Sequence, residues 1–365
     1  MSDLFSAPSV PGGSGPSSAR AKNTEPQAYD ASSIEVLEGL EPVRRRPGMY
    51  IGGTDEAALH HLAAEILDNA MDEAVAGHAT TIDVRLDTEN RLTIRDNGRG
   101  IPVDPHPRFP DRSALEVILT TLHAGGKFSG KAYATSGGLH GVGSSVVNAL
   151  SSHMEVEIAR ERVLWRQSYA RGKPVSTLEQ VGAAPNRRGT QISFQPDPEI
   201  FGTQLFAPAR LYRLCRSKAF LFRGVTIRWS CDPALIRTGE ETPAEAVLHF
   251  PGGLADSLAD ELGANPPLLT PFWAGEAPLP AAADGSENGK VEWAVAFLES
   301  GAASLVSYCN TIPTPQGGTH ETGLRNALVK GLRAWCDQRS VKKASAITAE
   351  DVLGMGAIRL SVFIR

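Results

Sequence analysis

Residues 57–77 read AALHHLAAEILDNAMDEAVAG. Leu62, Ile66, Ala70 and Val75 recur at helical spacing, so the stretch is expected to be an amphipathic helix with Gly77 at its C-terminal cap. Asp68, Asn69, Asp72 and Glu73 follow Glu65 by three, four, seven and eight residues, which puts all five on the side opposite the apolar stripe. A solvated acidic face is the plain explanation for such a set on an isolated helix. Two features argue against it here. Asn69 is a poor residue for the middle of a helix and needs a reason to be there. Carboxylates with no interleaved Lys or Arg also repel one another unless a cation or a proton-accepting role compensates. A carboxylate able to deprotonate water, next to an amide oxygen able to ligate Mg²⁺, suits phosphate chemistry.

Downstream, Thr81–Leu86 and Arg91–Arg95 alternate as strands, with Asp87, Glu89 and Asn90 supplying the turn. The second strand runs into Asp96-Asn97-Gly98-Arg99-Gly100-Ile101-Pro102. An Asp at a strand tip can accept the exocyclic amine of adenine, and Gly98 and Gly100 let backbone approach a flat ligand. An ordinary tight turn explains Asp-Asn-Gly alone, whereas the full heptapeptide is far more specific. After a helical stretch, Ala114–Leu122, the segment 123–143 holds seven glycines in 21 residues and includes Lys127. It ends in Ser136-Gly137-Gly138-Leu139-His140-Gly141-Val142-Gly143-Ser144, directly before a helix start. Gly-rich backbone entering a helix forms an N–H cradle for phosphates. The run is neither a P-loop, since GxxxxGK[ST] is absent, nor a dinucleotide fingerprint, since Gly138, Gly141 and Gly143 do not fit GxGxxG. Each motif alone is weak; their combination in this order is strong.

The surroundings narrow the reading. Residues 1–28, rich in Ser, Pro and Gly, are expected to be a disordered tail, and Ser32–Leu40 a short capped helix. Further strands are expected at 154–158, 164–169, 190–194 and 225–229, which makes an α+β block with a mainly antiparallel sheet. A Pro- and Gly-rich interval, 265–290, interrupts a second block with strands near 291–297 and 305–308, a helix over 322–337 and a last strand over 357–364. The net charge of −5 argues against a surface that grips nucleic acid by charge alone. Cys215, Cys231, Cys309 and Cys336 show no CxxC spacing, so neither zinc nor a disulfide framework is expected. No apolar run reaches membrane-spanning length and the N-terminus has no secretory pattern, so a cytoplasmic protein without a membrane partner is expected.

These residues resemble the GHKL ATPases, a group that includes gyrase-type topoisomerases, chaperone ATPases and histidine kinases. YDASSIEVLEGLEPVRRRPGMYIG, EILDNAMDEAVAGH, RDNGRGIP, LHAGGKF and SGGLHGVGSSVVNALS resemble the B subunits of gyrase and topoisomerase IV, and the resemblance runs from Tyr29 to the end. It implies a GHKL (Bergerat) α/β sandwich over 29–242 and a ribosomal S5 domain 2-like transducer over 243–365, the latter carried by QGGTHETGLRNAL. Glu65 is similar to the general base and Asn69 to the Mg²⁺ ligand. Asp96 resembles the adenine anchor, with Thr190 assisting through water and Gly100 and Pro102 bordering the base. Lys127 and the lid Gly138, Leu139, His140, Gly141, Val142, Gly143 and Ser144 match the positions that hold the phosphates of ATP. His61 would support Glu65, and Arg99 would pair with Glu73 and Arg160 line the pocket mouth, unless both are plain surface arginines. Tyr29 resembles the arm tyrosine that reaches the nucleotide site of the partner copy.

The resemblance also implies the partners: a DNA duplex, a topoisomerase A-type subunit and a second copy joined through the N-terminal arm. Ala134, where gyrase-type chains carry lysine, favours the topoisomerase IV branch, with decatenation and relaxation of DNA, over gyrase. The family's Gln-Thr-Lys loop does not occur before Arg365, so nucleotide binding is expected to survive while hydrolysis is expected to be impaired. A reading of another class is a nucleotide-dependent dimerisation module with little turnover. A histidine-kinase-type phosphotransferase would need an upstream phosphoacceptor, and no histidine precedes Tyr29.

Overall fold

The computed structural model describes residues 35–125, 141–263, 267–281, 289–299, 303–341 and 344–364. Helices α1 (Glu41–Arg45), α2 (Gly48–Ile51) and α3 (Glu56–Val75) lead into strands β1 (Thr81–Leu86) and β2 (Leu92–Asp96). A small hairpin, β3 (Pro105–His106) and β4 (Phe109–Ser113), precedes α4 (Ala114–Thr120) and α5 (Gly143–Ala149). Then come β5 (Ser151–Arg160), β6 (Val163–Ala170), β7 (Lys173–Pro174), β8 (Glu179–Ala183) and β9 (Gly189–Pro196). Helices α6 (Pro198–Phe201) and α7 (Pro208–Leu221) separate these from β10 (Thr226–Cys231) and β11 (Glu245–Leu248). The remainder is α8 (Leu254–Leu262), β12 (Trp273–Pro278), β13 (Gly289–Phe297), β14 (Ser304–Cys309), β15 (Ile312–Pro313), α9 (Thr319–Gln338), α10 (Ala349–Leu353) and β16 (Gly356–Ile364).

The expected α+β architecture holds. A nine-stranded sheet has the order β11-β10-β1-β2-β9-β5-β6-β7, with β8 on β6. Its pairings are antiparallel except for β1 with β10. The alternation read in β1 and β2 buries Ile82, Val84, Leu86, Leu92 and Ile94 on one face, where α3 packs. Asp87 closes their turn by accepting the N–H groups of Glu89 (2.9 Å) and Arg91 (3.1 Å), while Asn90 takes the left-handed backbone the turn needs (φ 58). The register sets Ile82 against Asp96, so Asp96 closes the buried row Leu92, Ile94 at the strand tip.

A five-stranded sheet, β12-β13-β16-β14-β15, forms the second block. Leu254, Leu258 and Leu262, one turn apart on α8, cover Ala294, Ala296 and Ala357 on one face. Leu328 of α9 and Val352 of α10 cover Val295 and Ile358 on the other. Strand β16 is therefore buried along nearly its whole length. Both sheets belong to one compact unit, Glu38–Arg365.

Three differences from the sequence reading have local causes. Residues 35–38 are not helical; Gly39 takes φ 60 and the helix starts at Glu41, where Pro42 costs nothing because the first-turn N–H groups have no helical acceptor. Helices α7 and α8 have no counterpart in that reading. Helix α3 is buried on more than one side: Leu59, Leu67 and Met71 join Leu62 and Ile66 in the core, and Asp72 and Glu73 are buried too, so its acidic residues are not a solvated face.

Candidate nucleotide site

Helix α3 begins where Asp55 accepts the Ala58 N–H (2.9 Å), and Gly77 past its end takes φ 77, as a helix stop requires. The acidic set on α3 is neutralised from elsewhere in the chain. Glu73 accepts from the Arg99 backbone N–H (2.9 Å) and from its guanidinium Nη2 (2.7 Å), which clamps the loop after β2 onto the helix. Asp68 pairs with Lys218 of α7 (2.6 Å). Glu65 and Asn69 face the start of α5 instead. Asn69 Nδ2 donates to Ser144 Oγ (3.0 Å), and a Cβ added at Gly143 would overlap Glu65 Oε2. His61, three residues after α3's Ala58, is exposed.

At the strand tip, Asp96 is only 7% exposed. Its Oδ1 accepts the N–H of Gly98 (2.7 Å) and lies 3.4 Å from the N–H of Thr190. Among the described residues no donor reaches Oδ2. Burial pushes the carboxyl up to about 6, against the lowering effect of those N–H groups. A carboxylate held at this cost on an otherwise apolar face invites a donor from a ligand. Thr190 Oγ1 accepts the Ile101 N–H (3.2 Å), tying β9 to the same loop. Gly100 is buried at φ 78 and its carbonyl accepts Arg160 Nη1 (3.1 Å), while Pro102 is exposed.

The glycines at this tip also answer a packing demand. A Cβ at Gly98 would meet Glu73 Oε2 at 2.6 Å and Asp96 Oδ1 at 2.8 Å, and one at Gly100 would meet Ile158 Cγ2 at 3.1 Å. Their lack of a side chain serves close packing of protein against protein.

The structure thus brings Asp96, Gly100 and Thr190 together, and Glu65 and Asn69 with Gly143 and Ser144. Gly141 (φ 60) and Val142 lead into α5, where Ser145 Oγ donates to the Val142 carbonyl (2.9 Å). Tyr29, Lys127, Gly138, Leu139 and His140, like the 1–28 tail and Ala134, lie outside the described residues. Among the described residues no three His, Cys, Asp or Glu side chains converge as a metal site. A divalent ion here would lean on phosphate oxygens and water with one or two protein ligands, which is how Mg²⁺ is usually held. A groove of about 970 Å³ lies on the face of the large sheet opposite α3, lined by Arg85, Arg95, Gln191 and Arg228 among others, and none of the described candidate site residues lines it.

Residues 54–200 match the family model described as histidine kinase-, DNA gyrase B- and HSP90-like ATPase, and residues 258–365 match that of DNA gyrase B. The 43K ATPase domain of Thermus thermophilus gyrase B, solved with an aminocoumarin, is 36% identical with a TM-score of 0.74, over 88% of this chain and 80% of that one. The chain belongs to the family of gyrase and topoisomerase IV B subunits. The topoisomerase IV ATP-binding domain of Francisella tularensis, solved with a small-molecule inhibitor, is 32% identical with a TM-score of 0.68, over 90% of this chain and 83% of that one. The B subunit of DNA topoisomerase 4 from Bartonella bacilliformis is 55% identical over 96% of this chain and 50% of its own length. The chain thus spans about half the length of this curated relative, and it carries the family's ATPase domain. Among the described residues no helix is long and apolar enough to cross a membrane.

Sequence reading missed Lys218. Its signal is a lysine on the apolar stripe of α7, three residues after buried Cys215 and seven after buried Leu211.

Proposed function

We propose that this chain binds ATP with Mg²⁺ between the Asp96 tip of β2 and the Glu65–Asn69 side of α3, and that it acts as the ATP-operated clamp of a topoisomerase IV-type enzyme. The observation that carries the reading is the buried Asp96 carboxyl, whose Oδ1 is taken up by backbone donors and whose Oδ2 remains for the adenine amine. Thr190 stands beside it, and its hydroxyl accepts the N–H of Ile101, the residue after Gly100. Glu65 takes the proton of the attacking water; it lies beside Gly143, where the lid ends and α5 begins. Mg²⁺ held by the amide oxygen of Asn69 and by phosphate oxygens would neutralise charge on the transferred phosphoryl group. Lys127 and residues 138–144 hold the phosphates in this reading, and Tyr29 reaches the partner copy's nucleotide.

In the same reading residues 29–242 form the nucleotide-binding domain and 243–365 a transducer. Two copies, joined through their N-terminal arms, close on a DNA duplex and work with an A-type subunit in the cytoplasm, decatenating and relaxing DNA. The 55% identity to the B subunit of a topoisomerase 4 supports this branch over gyrase. The test is a titration of a non-hydrolysable ATP analogue with Mg²⁺ into the wild type and Asp96→Ala, with oligomer mass followed in parallel. Wild-type binding and dimerisation, both lost in Asp96→Ala, are expected. Equal binding by the two proteins would remove Asp96 as the adenine anchor.

A further inference from the structure

Lys218 is a charged side chain buried between two sheets. Its side chain is 5% exposed, and its ammonium faces three oxygens: Asp68 Oδ1 of α3 at 2.6 Å, and the carbonyl and Oγ1 of Thr311 at 3.1 and 3.0 Å. The Asp68 carboxylate opposes the ammonium as an ion pair and Thr311 accepts two hydrogen bonds from it, so the buried charge is compensated. Asp68 lies directly before Asn69 and one turn after Glu65 on α3. Thr311 belongs to the tight turn between β14 and β15, where Asn310 (φ 47) and Thr311 (φ 68) both take left-handed backbone. That conformation is unfavourable for a β-branched residue and persists only where surrounding contacts hold it. The contacts are on both sides. Asn310 is bonded in both directions to the backbone of Ile364 at the end of β16, at 3.0 and 2.9 Å, and Thr311 is bonded to Lys218.

A plain structural tie could be made with apolar side chains at lower cost, since desolvating a lysine and a carboxylate is expensive. An ammonium with three polar contacts differs from an apolar tie in one respect. It fixes where Asp68 stands relative to Thr311, and a small displacement of α3 breaks or remakes the set. We propose that Lys218 is a positioning residue that couples α3 to the β14–β15 turn, so that occupancy of the nucleotide site is felt at the second sheet through Asp68, Lys218 and Thr311. This rests on the ATP-site reading above.

The experiment is amide hydrogen exchange with and without a non-hydrolysable ATP analogue and Mg²⁺. It compares the wild type, the paired variant Asp68→Asn with Lys218→Met, Thr311→Val, and Leu258→Ala as a packing control. The paired change removes both charges together, so neither is left buried alone. In the wild type the analogue is expected to slow exchange in α3 and also in residues 304–313. In the paired variant the slowing in α3 is retained and that in 304–313 is lost; Thr311→Val shows the same loss in part. Leu258→Ala, which loosens the second sheet by packing alone, retains the response. A response at 304–313 that persists in the paired variant, or a wild type in which α3 responds and 304–313 does not, overturns the coupling. A wild type in which α3 itself does not respond overturns the ATP-site reading instead.

Discussion

Asp96 stands where strand alternation calls for an apolar side chain, and its carboxyl is pushed up to about 6 by burial. The folded chain therefore binds this proton more tightly than the unfolded chain, whose Asp ionises near the ordinary value of 3.8. The resulting stability is full at pH below that value and is lost as pH rises through about 6. Asp96→Asn keeps an acceptor for the Gly98 N–H and removes the buried charge. It should raise the unfolding free energy at pH 8 by up to about 3 kcal/mol, and the gain over wild type should shrink as pH falls towards 4. Chemical denaturation at the two pH values measures it, and a gain independent of pH would contradict the burial argument. Glu65 supplies a second residue-scale prediction. A Cβ at Gly143 would overlap its carboxylate, so Gly143→Ala must displace it. ATP turnover by this variant should fall at least about tenfold, about 1.4 kcal/mol of barrier, and analogue affinity should fall as well, because Gly143 also belongs to the lid that holds the phosphates.

At the level of elements, the strand tip depends on how β2 and β9 meet. Gly189, the first residue of β9, takes φ 105, and a Cβ there would overlap the Asp96 carbonyl oxygen. Gly189→Ala is strained both by its backbone and by the collision. It should cost about 2 kcal/mol or more, read as a lowered thermal midpoint, and weaken nucleotide binding at the same time. A variant of wild-type stability would show that β9 can shift without cost. Helix α3 illustrates the same dependence. Its acidic set becomes tolerable because Arg99 and Lys218, both distant in sequence, meet Glu73 and Asp68. Glu65 and Asn69 are then the members turned towards the start of α5.

Across the whole molecule, α7 and α8 join the two sheets. Leu221 at the end of α7 shares a core with Leu254, Leu258 and Leu262 of α8 and with Ala294 and Ala296 of β13. Leu258 is fully buried, so Leu258→Ala should destabilise the chain by about 2–5 kcal/mol through lost burial and a residual cavity. Because its core is remote from Asp96, analogue affinity should change little at a temperature where the variant is folded. Parallel thermal and binding measurements check both parts.

Much of this protein was legible in its residues. The helix over 57–77, the strand pair ending at Asp96, the helix starting near Gly143 and the α+β class follow from periodicity, turn chemistry and glycine spacing, all of which act over a few residues. The pairing of Arg99 with Glu73, implied by the family resemblance with a plain surface arginine as the alternative, is present. Contacts between distant parts of the chain were beyond that reading. Nothing local specifies that β1 runs parallel to β10, that Lys218 reaches Asp68 and Thr311, or that a side chain at Gly98 or Gly100 would collide with protein. Local propensity chooses the elements and places the chemical groups along them. Which groups are buried, paired or left facing a ligand is decided only when the chain packs, because desolvation and pairing depend on neighbours far away in sequence.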